Sequence, residues 1–280
     1  MADFIITGAS RGIGHALALE LAGHGDRLVL VARDEQRLED LAAEIRARGG
    51  EAVALPGDLS ALGEARALGG QLAAWVEDGA SLIHNAGLWP SRRTLTVDGF
   101  ETAFAVNHLG PLALQEELLA SGKLRRVLVN SAGLLVKGRF DPERTPSGAD
   151  FSAIRTYATT KLCFAIAMRE VAAEHPAVDV LVVHPGVVRT DLGQRPGPLG
   201  WLLERVKRRW EAPEVCAARL ARILARERWS PPGVANWQML EEVQPWPAVT
   251  EAPATRQAIR AITARILARP AAAAAAFAGP

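Results

Sequence analysis

The chain has 280 residues, and its 49% hydrophobic and 22% charged residues are ordinary for a folded globular protein, which excludes a disordered chain. Its 32 basic and 31 acidic side chains leave a net charge of +1, so no overall positive field exists to hold nucleic acid or an anionic membrane. The chain has only two cysteines, which cannot form a disulfide framework, and we therefore expect a cytoplasmic protein.

Short apolar segments alternate with helical segments from the first residues onward. The predicted strands are 4–7, 27–32, 51–55, 81–84, 125–131, 178–184 and 234–240. The predicted helices are 12–23, 34–48, 60–76, 98–120, 152–174, 213–226 and 254–268. This alternation is typical of βαβ units, so the sequence predicts an α/β protein with a doubly wound, mostly parallel sheet and helices on both faces.

The predicted domain covers residues 1–268, because no linker divides them. Within it, residues 191–213 are rich in glycine and proline around an amphipathic, basic segment, Trp201–Trp210, and we predict a C-terminal flap there. Residues 269–280 read as an alanine-rich tail. The sequence has neither a signal-peptide pattern nor a run of about 18 apolar residues, so we expect no integral membrane segment. Six histidines without ligand spacing lead us to expect no metal.

A glycine-rich turn lies between the first predicted strand and the first helix. It reads TGASRGIG from Thr7 to Gly14, with G-x3-G-x-G spacing. Glycines allow the backbone to approach a phosphate closely, and the helix N-terminus offers N–H groups to an anion. In a parallel sheet this position binds the pyrophosphate of a dinucleotide, so the turn predicts a nucleotide site.

Five further motifs follow in order along the chain. They are HNAG at 84–87, Asn107 in VNHLG, Ser131 in VNSAG, Tyr157 four residues before Lys161, and PGVVRT at 185–190. Together with the glycine turn they resemble the short-chain dehydrogenase/reductase superfamily, over about residues 3–192. The strings FAVNHLGPLAL and HPGVVRTDLG look like the branch of retinol dehydrogenases and WW-domain oxidoreductases, to which bacterial ketoreductases also belong. The resemblance implies a Rossmann fold.

Hydride transfer requires a proton donor beside the carbonyl that accepts the hydride, or a base beside the alcohol that gives one. Tyr157 is the only tyrosine, and Lys161 shares its helix face, so a nearby ammonium should lower the pKa of the phenol. The resemblance implies four catalytic residues, Asn107, Ser131, Tyr157 and Lys161. In that family role, Asn107 would fix a water in a proton relay. It implies cofactor contacts from Gly8, Ser10, Arg11, Gly12, Ile13, Gly14, Arg33, Asp58, Leu59, Asn85, Ala86, Gly87, Tyr157, Lys161, Pro185, Gly186, Val188 and Thr190.

The end of the second strand bears on the choice of cofactor. An acidic residue there would bind the ribose 2′-hydroxyl of NAD, whereas arginine suits a 2′-phosphate. The family's acidic position falls on Ala32, followed by Arg33, and Arg11 can reach the same place. The sequence therefore favours NADP(H), with NAD(H) as the alternative because the charge of Asp34 would oppose a phosphate.

The predicted function is an NADPH-dependent oxidoreductase acting on a carbonyl or alcohol of a bulky hydrophobic small molecule. The alternatives are an NAD-linked alcohol dehydrogenase and a catalytically silent cofactor-binding scaffold or sensor. The segment Trp201–Trp210 is interpreted as a lid over the substrate, with contact to a membrane surface as its alternative. The extended loop Leu134–Phe151 argues against the family's usual tetramer packing, so we expect a monomer or homodimer.

Overall fold

A single eight-stranded sheet runs through the computed structural model, which describes residues 3–193, Arg205 and residues 209–269. Its spatial order is β3-β2-β1-β4-β5-β6-β7-β8, with every neighbouring pair parallel except β7 and β8. The strands are β1 Asp3–Thr7, β2 Arg27–Ala32, β3 Glu51–Pro56, β4 Ala80–His84, β5 Leu124–Asn130, β6 Asp179–His184, β7 Ala235–Met239 and β8 Glu242–Gln244. The strand order reverses between β1 and β4, which confirms the predicted doubly wound fold and creates a crevice at that point.

Helices connect the parallel strands and cover both faces of the sheet. They are α1 Gly12–Ala22, α2 Glu35–Ala47, α3 Leu62–Trp75, α4 Thr102–Phe104, α5 Gly110–Ala120, α6 Ala153–Glu174, α7 Pro213–Leu224 and α8 Pro253–Leu267. A π-helical turn, Ala105–Leu109, joins α4 to α5, and 3₁₀ turns occupy Gly133–Lys137 and Ala248–Thr250.

The core has one apolar layer on each face of the sheet, because successive strand side chains point to opposite faces. In β1, Ile5 belongs to the layer under α3, α5, α6 and α8, whereas Phe4 and Ile6 belong to the layer under α1, α2 and α7. The two cysteines are divided in the same way, with Cys163 in the first layer and Cys216 in the second. Both thiols are free and buried.

Two predicted elements differ from the structure. The long helix predicted from Asp98 begins only at Thr102, because Asp98 turns its carboxylate to the backbone N–H of Leu62 and Glu101 caps the first turn. Strand β8 replaces part of a predicted loop. It follows a tight turn in which Leu240 adopts a φ of 56°, a conformation that side chains other than glycine seldom take.

Only the base of the predicted flap lies within the described residues. Val188 forms a parallel bridge to Glu211, and the Arg189 N–H donates to the Glu211 carbonyl oxygen at 2.8 Å, so the two ends of the flap lie side by side. The predictions made for Trp201 and most of its helix, and for the alanine-rich tail after residue 269, fall outside the described residues. In the described part of the chain, every helix is too short or too polar to cross a membrane.

Candidate active site

A cleft of about 600 Å³ opens at the carboxyl ends of the strands, where the strand order reverses. It brings together almost all the residues that the sequence assigned to cofactor and catalysis. The predicted residues that line it are Gly8, Ser10, Arg11, Gly12, Ile13, Arg33, Asp58, Leu59, Asn85, Ala86, Gly87, Ser131, Tyr157, Lys161, Pro185, Gly186, Val188 and Thr190. Gly14 and Asn107 lie behind this lining rather than in it.

The glycine turn packs directly against the Asn85–Gly87 segment that follows β4. Gly8 has a φ of 69°, and a Cβ there would lie 2.8 Å from the Cα of Ala86. A Cβ on Gly14 would lie 2.4 Å from the side-chain nitrogen of Asn85. Both positions require glycine because neither neighbour can move without displacing the end of a core strand.

A hydrogen-bond network, here called the cofactor floor, links Thr7, Asn85 and Asn130 beneath the glycine turn. The Thr7 hydroxyl accepts from the N–H groups of Asn85 and Ala86 at 3.1 Å each and donates to the Ile83 carbonyl at 3.2 Å. The Asn85 amide donates to the carbonyls of Thr7 and Gly8, and its oxygen accepts from Asn130 at 2.9 Å. Three strand ends and the turn are therefore held in one arrangement.

The start of α1 fits the pyrophosphate of a dinucleotide. The helix begins at Gly12, its first turn carries no acidic residue, and Arg11 at the cap makes no side-chain cap bond within the described structure. A Cβ on Gly12, whose φ is 60°, would lie 3.2 Å from Thr190, so only a glycine leaves room at this end of the cleft. Uncapped N–H groups and the helix dipole favour an anion there.

The end of β2 presents basic side chains to the same cleft. Ala32 and Arg33 line it, and Arg33 is exposed. The Asp34 carboxylate caps α2 by accepting from the Arg37 N–H at 3.2 Å, and it forms an ion pair with the Arg37 guanidinium at 3.2 Å. Asp34 is therefore held at its own helix, whereas Arg11 forms an exposed ion pair with Asp191 at 3.8 Å.

Helix α6 places Tyr157 and Lys161 on the opposite wall. The Lys161 ammonium donates to the Asn130 carbonyl at 2.9 Å and lies 5.9 Å from the centre of the Tyr157 ring. Burial lowers the pKa of Lys161 to about 8 and raises the pKa of Tyr157 above its ordinary value. The shift of the Tyr157 pKa is opposite in direction to the lowering that we expected from Lys161, because burial disfavours the phenolate.

Ser131 lies directly after β5, beside these two side chains. Its N–H donates to the Val183 carbonyl at 2.7 Å, which fixes the backbone of Ser131 at the strand end. Its buried hydroxyl has no hydrogen-bond partner among the described residues, although it lines the cleft. Because buried hydroxyls are nearly always paired, a free one in a cleft indicates a place for a ligand oxygen.

Asn107 positions the segment after β4 rather than facing the cleft. It lies in the π-helical turn, where its side-chain oxygen accepts from the Leu88 N–H at 2.7 Å and its amide donates to the Leu88 carbonyl at 2.8 Å. The same amide donates to the Thr160 hydroxyl at 2.9 Å, next to Lys161 in the chain. Asn107 thus fastens Leu88 to α6, and its part in a proton relay stays a prediction.

Sequence reasoning missed Trp89, which stacks on Tyr157 with ring centres 4.9 Å apart and an angle of 11° between the planes. Trp89 also lines the cleft. Its one available sequence signal is its position two residues after the HNAG motif.

A second missed feature is an ion pair that holds the Pro185-Gly186 turn. The Arg219 guanidinium on α7 donates to the Pro185 carbonyl at 2.8 Å and to the Glu211 carboxylate at 3.0 Å. Glu211 is also the residue that bridges Val188 at the base of the flap. One arginine therefore fastens both the turn and the flap base, a contact that sequence spacing alone does not reveal.

The donor chemistry of the cleft fits an organic cofactor. The described residues contain no group of three or more His, Cys, Asp and Glu side chains able to hold a metal ion. A strand-order reversal, a glycine turn over a helix N-terminus, and serine, tyrosine and lysine in one cleft together define the arrangement of a nicotinamide-dependent oxidoreductase.

Comparison with known proteins identifies the family. Residues 3–197 match the model of the short chain dehydrogenase family, and the chain belongs to that family of NAD(P)-dependent dehydrogenases and reductases. The resemblance in the sequence motifs is thereby confirmed.

The chain is similar to reductases and dehydrogenases from different organisms. It is 36% identical over 195 residues to a Streptomyces protein assigned as daunorubicin C-13 ketoreductase DnrU, covering 68% of this chain and 67% of that one. It is 35% identical over 207 residues to mouse retinol dehydrogenase 14, covering 68% of this chain and 62% of the relative. The match thus spans about two thirds of the length of these relatives. An alcohol dehydrogenase from Thermococcus sibiricus, solved with 5-hydroxy-NADP, is 26% identical with a TM-score of 0.66 and covers 88% of this chain and 100% of its own.

Proposed function

We propose that the protein is an NADPH-dependent reductase of bulky hydrophobic carbonyl compounds, which also oxidises the corresponding alcohols. The observation that carries the proposal is the cleft itself, in which Ser131, Tyr157 and Lys161 face the same space as the glycine turn. The relatives named as a ketoreductase and a retinol dehydrogenase support a hydrophobic ketone, aldehyde or alcohol as substrate.

The site residues have complementary roles in this reaction. A bound nicotinamide supplies the hydride to the carbonyl carbon, or accepts it in the reverse direction. The Ser131 hydroxyl donates a hydrogen bond to the carbonyl oxygen, and the Tyr157 phenol gives its proton to that oxygen as the carbonyl becomes an alcohol. The Lys161 ammonium then lies close enough to stabilise the phenolate until a proton from water restores it.

The charges at the end of β2 support NADPH over NADH. Arg33 lines the cleft where the ribose would lie, no acid stands at Ala32, and Asp34 is engaged with Arg37. A guanidinium pairs well with a phosphate dianion, so Arg33 favours the 2′-phosphate of NADPH. The solved Thermococcus sibiricus relative, which contains an NADP derivative, points the same way.

We propose a monomer or homodimer in the cytoplasm, with no nucleic acid partner. Light scattering of the purified chain and cell fractionation test these statements directly.

Replacing Tyr157 with phenylalanine tests the proposed function. The change removes only the hydroxyl that donates the proton, and general acids contribute about 10²–10⁴-fold, so we expect kcat to fall at least about a hundredfold. The assay is NADPH consumption with a panel of aromatic and polyketide-like ketones and retinal. The affinity for NADPH, measured by its fluorescence, should stay nearly unchanged because the change removes one hydroxyl and leaves the glycine turn intact. A variant that keeps a tenth of the wild-type kcat contradicts the role of Tyr157.

A further inference from the structure

Trp89 covers one face of the catalytic phenol. The indole and the Tyr157 ring are nearly parallel, with ring centres 4.9 Å apart and an interplanar angle of 11°. Such contact leaves no space for water between the rings, and only 5% of Tyr157 is exposed. No other described aromatic ring stacks on this tyrosine.

The indole is held in this place from two other directions. Its chain neighbour Leu88 is fastened by both backbone groups to Asn107, at 2.7 and 2.8 Å. On another side lies Gly193, where a Cβ would stand 3.2 Å from the indole Cε3 and where φ is 75°. Trp89 is therefore wedged between the catalytic helix and the base of the flap, so its ring has little freedom to turn away.

The stacking affects the two protonation states of Tyr157 differently. The face of an aromatic ring carries partial negative charge, which is unfavourable beside a phenolate. Exclusion of water also disfavours the charged form. Both effects keep the phenol protonated and aligned, which is the state that a carbonyl reductase needs at the start of each turnover.

We propose that Trp89 is a positioning residue, whose aromatic face holds the Tyr157 ring in its productive orientation and keeps water from it. This proposal rests on the proposed acid role of Tyr157. The contact is made by the ring face and not by the indole N–H, which has no hydrogen-bond partner among the described residues. Phenylalanine at position 89 should therefore preserve the function, whereas alanine or leucine should not.

The composition of the chain offers a direct probe, because Tyr157 is its only tyrosine. Tetranitromethane nitrates the phenolate form of accessible tyrosines, so the nitration rate at pH 8, followed by mass spectrometry of the intact protein, reports on this one residue. The experiment compares wild type with Trp89→Phe, Trp89→Leu and Trp89→Ala. Tyr157→Phe serves as the blank, and circular dichroism confirms that each variant is folded.

We expect Trp89→Ala and Trp89→Leu to be nitrated about tenfold faster than wild type, the ratio that a fall of one pKa unit produces. Trp89→Phe should stay within about twofold of wild type, since a benzene ring retains the stacking face. With a ketone as substrate, kcat should fall in the leucine variant and stay near the wild-type value in the phenylalanine variant. If the alanine variant is unfolded, the nitration rate of the leucine variant alone tests the proposal.

Wild-type nitration rates in the leucine variant would overturn the proposal, because stacking would then not protect the phenol. Equal rates in the phenylalanine and leucine variants would overturn it too. A change in KM without any change in nitration would mean that Trp89 is only a wall of the substrate cleft. If Tyr157→Phe remains active, the proposed function fails whatever the nitration rates; if it is inactive and nitration is unchanged, only the role of Trp89 fails.

Discussion

The two sides of the cleft differ in how completely their polar groups are bonded. On the cofactor floor, the Thr7 hydroxyl makes three hydrogen bonds, the side chain of Asn85 donates two and accepts one, and one buried atom, the Asn130 Oδ1, has no partner among the described residues. The facing side, here called the reaction wall, consists of Trp89, Ser131, Tyr157, Lys161 and His184. Three of its buried polar atoms, the Trp89 Nε1, the Ser131 hydroxyl and the His184 Nδ1, have no partner among the described residues.

This difference separates the side whose polar groups are mostly hydrogen-bonded within the protein from the side that has several polar groups without a partner. A buried polar group without a partner costs about 1–3 kcal/mol, so a fold retains such groups only where something else recovers the loss. The hydrogen bonds of the cofactor floor are formed among the residues of the chain itself. In the proposed function, the substrate oxygen supplies a partner on the reaction wall. Substitutions on the floor should therefore affect binding and stability, and changes on the wall should affect the chemistry and its pH dependence.

The charge of Lys161 gives the largest expected effect on the reaction wall. Burial lowers the pKa of Lys161 to about 8, so its ammonium persists below pH 8 and is lost as the pH rises through that value. We expect kcat/KM for NADPH, which reports groups of the free enzyme, to fall about tenfold per pH unit above pH 8, or about thirtyfold by pH 9.5. Stopped-flow rates at saturating ketone measure this profile.

Two variants make the Lys161 prediction specific. In Lys161→Arg the guanidinium stays charged across this range, so the limb near pH 8 should disappear from whatever activity remains. In Lys137→Met, which changes an exposed lysine, the limb should persist. A flat wild-type profile from pH 7 to 9.5 would show that the ammonium of Lys161 is not needed.

Gly14→Ala tests whether the cofactor floor is as closely packed as its distances indicate. The new methyl group would lie 2.4 Å from the Asn85 amide nitrogen and 2.5 Å from the Gly8 carbonyl oxygen. Overpacking of this kind costs about 1–3 kcal/mol, so we expect NADPH affinity to fall about tenfold and Tm to drop. Titration calorimetry and thermal melts provide the two measurements.

Gly70→Ala is the matched control for Gly14→Ala. Gly70 lies within α3, and a Cβ there meets nothing within 4 Å among the described residues. Alanine in a helix is favoured over glycine by about 0.5–1 kcal/mol, so this variant should be slightly more stable with unchanged affinity. If the two variants have equal NADPH affinity and equal Tm, the cofactor floor can rearrange to accept the added methyl group.

Arg33→Ala should produce the smallest change, a loss of about fivefold in the preference for NADPH over NADH. An exposed ion pair contributes about 1 kcal/mol at most, because water and salt screen it. The ratio of kcat/KM for the two cofactors measures the effect. Arg46→Ala, on helix α2 but outside the cleft lining, should leave that ratio unchanged, since the Arg46 guanidinium is exposed and paired with Glu39. Equal use of both cofactors by the wild type would refute the proposed NADPH preference.

The elements of the sheet could be predicted because apolar runs and glycine turns are local signals. Strand β2, for example, has the predicted bounds, and the strand-order reversal follows from the alternation of strands and helices. Strand β8 could not be predicted, since its three residues are defined by pairing with β7 and follow a turn at Leu240, a residue type that gives no turn signal. The start of the helix near Asp98 depends on a bond to Leu62, far away in the chain.

The candidate site divides in the same way. The glycine turn, Ser131, Tyr157 and Lys161 are recognisable because their chemistry requires particular residue types at particular spacings. Trp89 carries no such pattern, and its contact with Tyr157 depends on how the segment after β4 crosses α6. The direction of the tyrosine pKa shift was also beyond the sequence, because it depends on how many neighbours exclude water from the ring.

The two buried cysteines can report local opening of the protein interior through their reaction with an alkylating reagent. Cys163 and Cys216 lie in different apolar layers, one on each face of the sheet, and burial raises the pKa of each thiol, that of Cys216 to about 12. Because the thiolate is the reactive form, neither side chain can be alkylated while its layer is closed. Peptide-resolved alkylation under native conditions would therefore measure the local opening of each layer separately, without any engineered label.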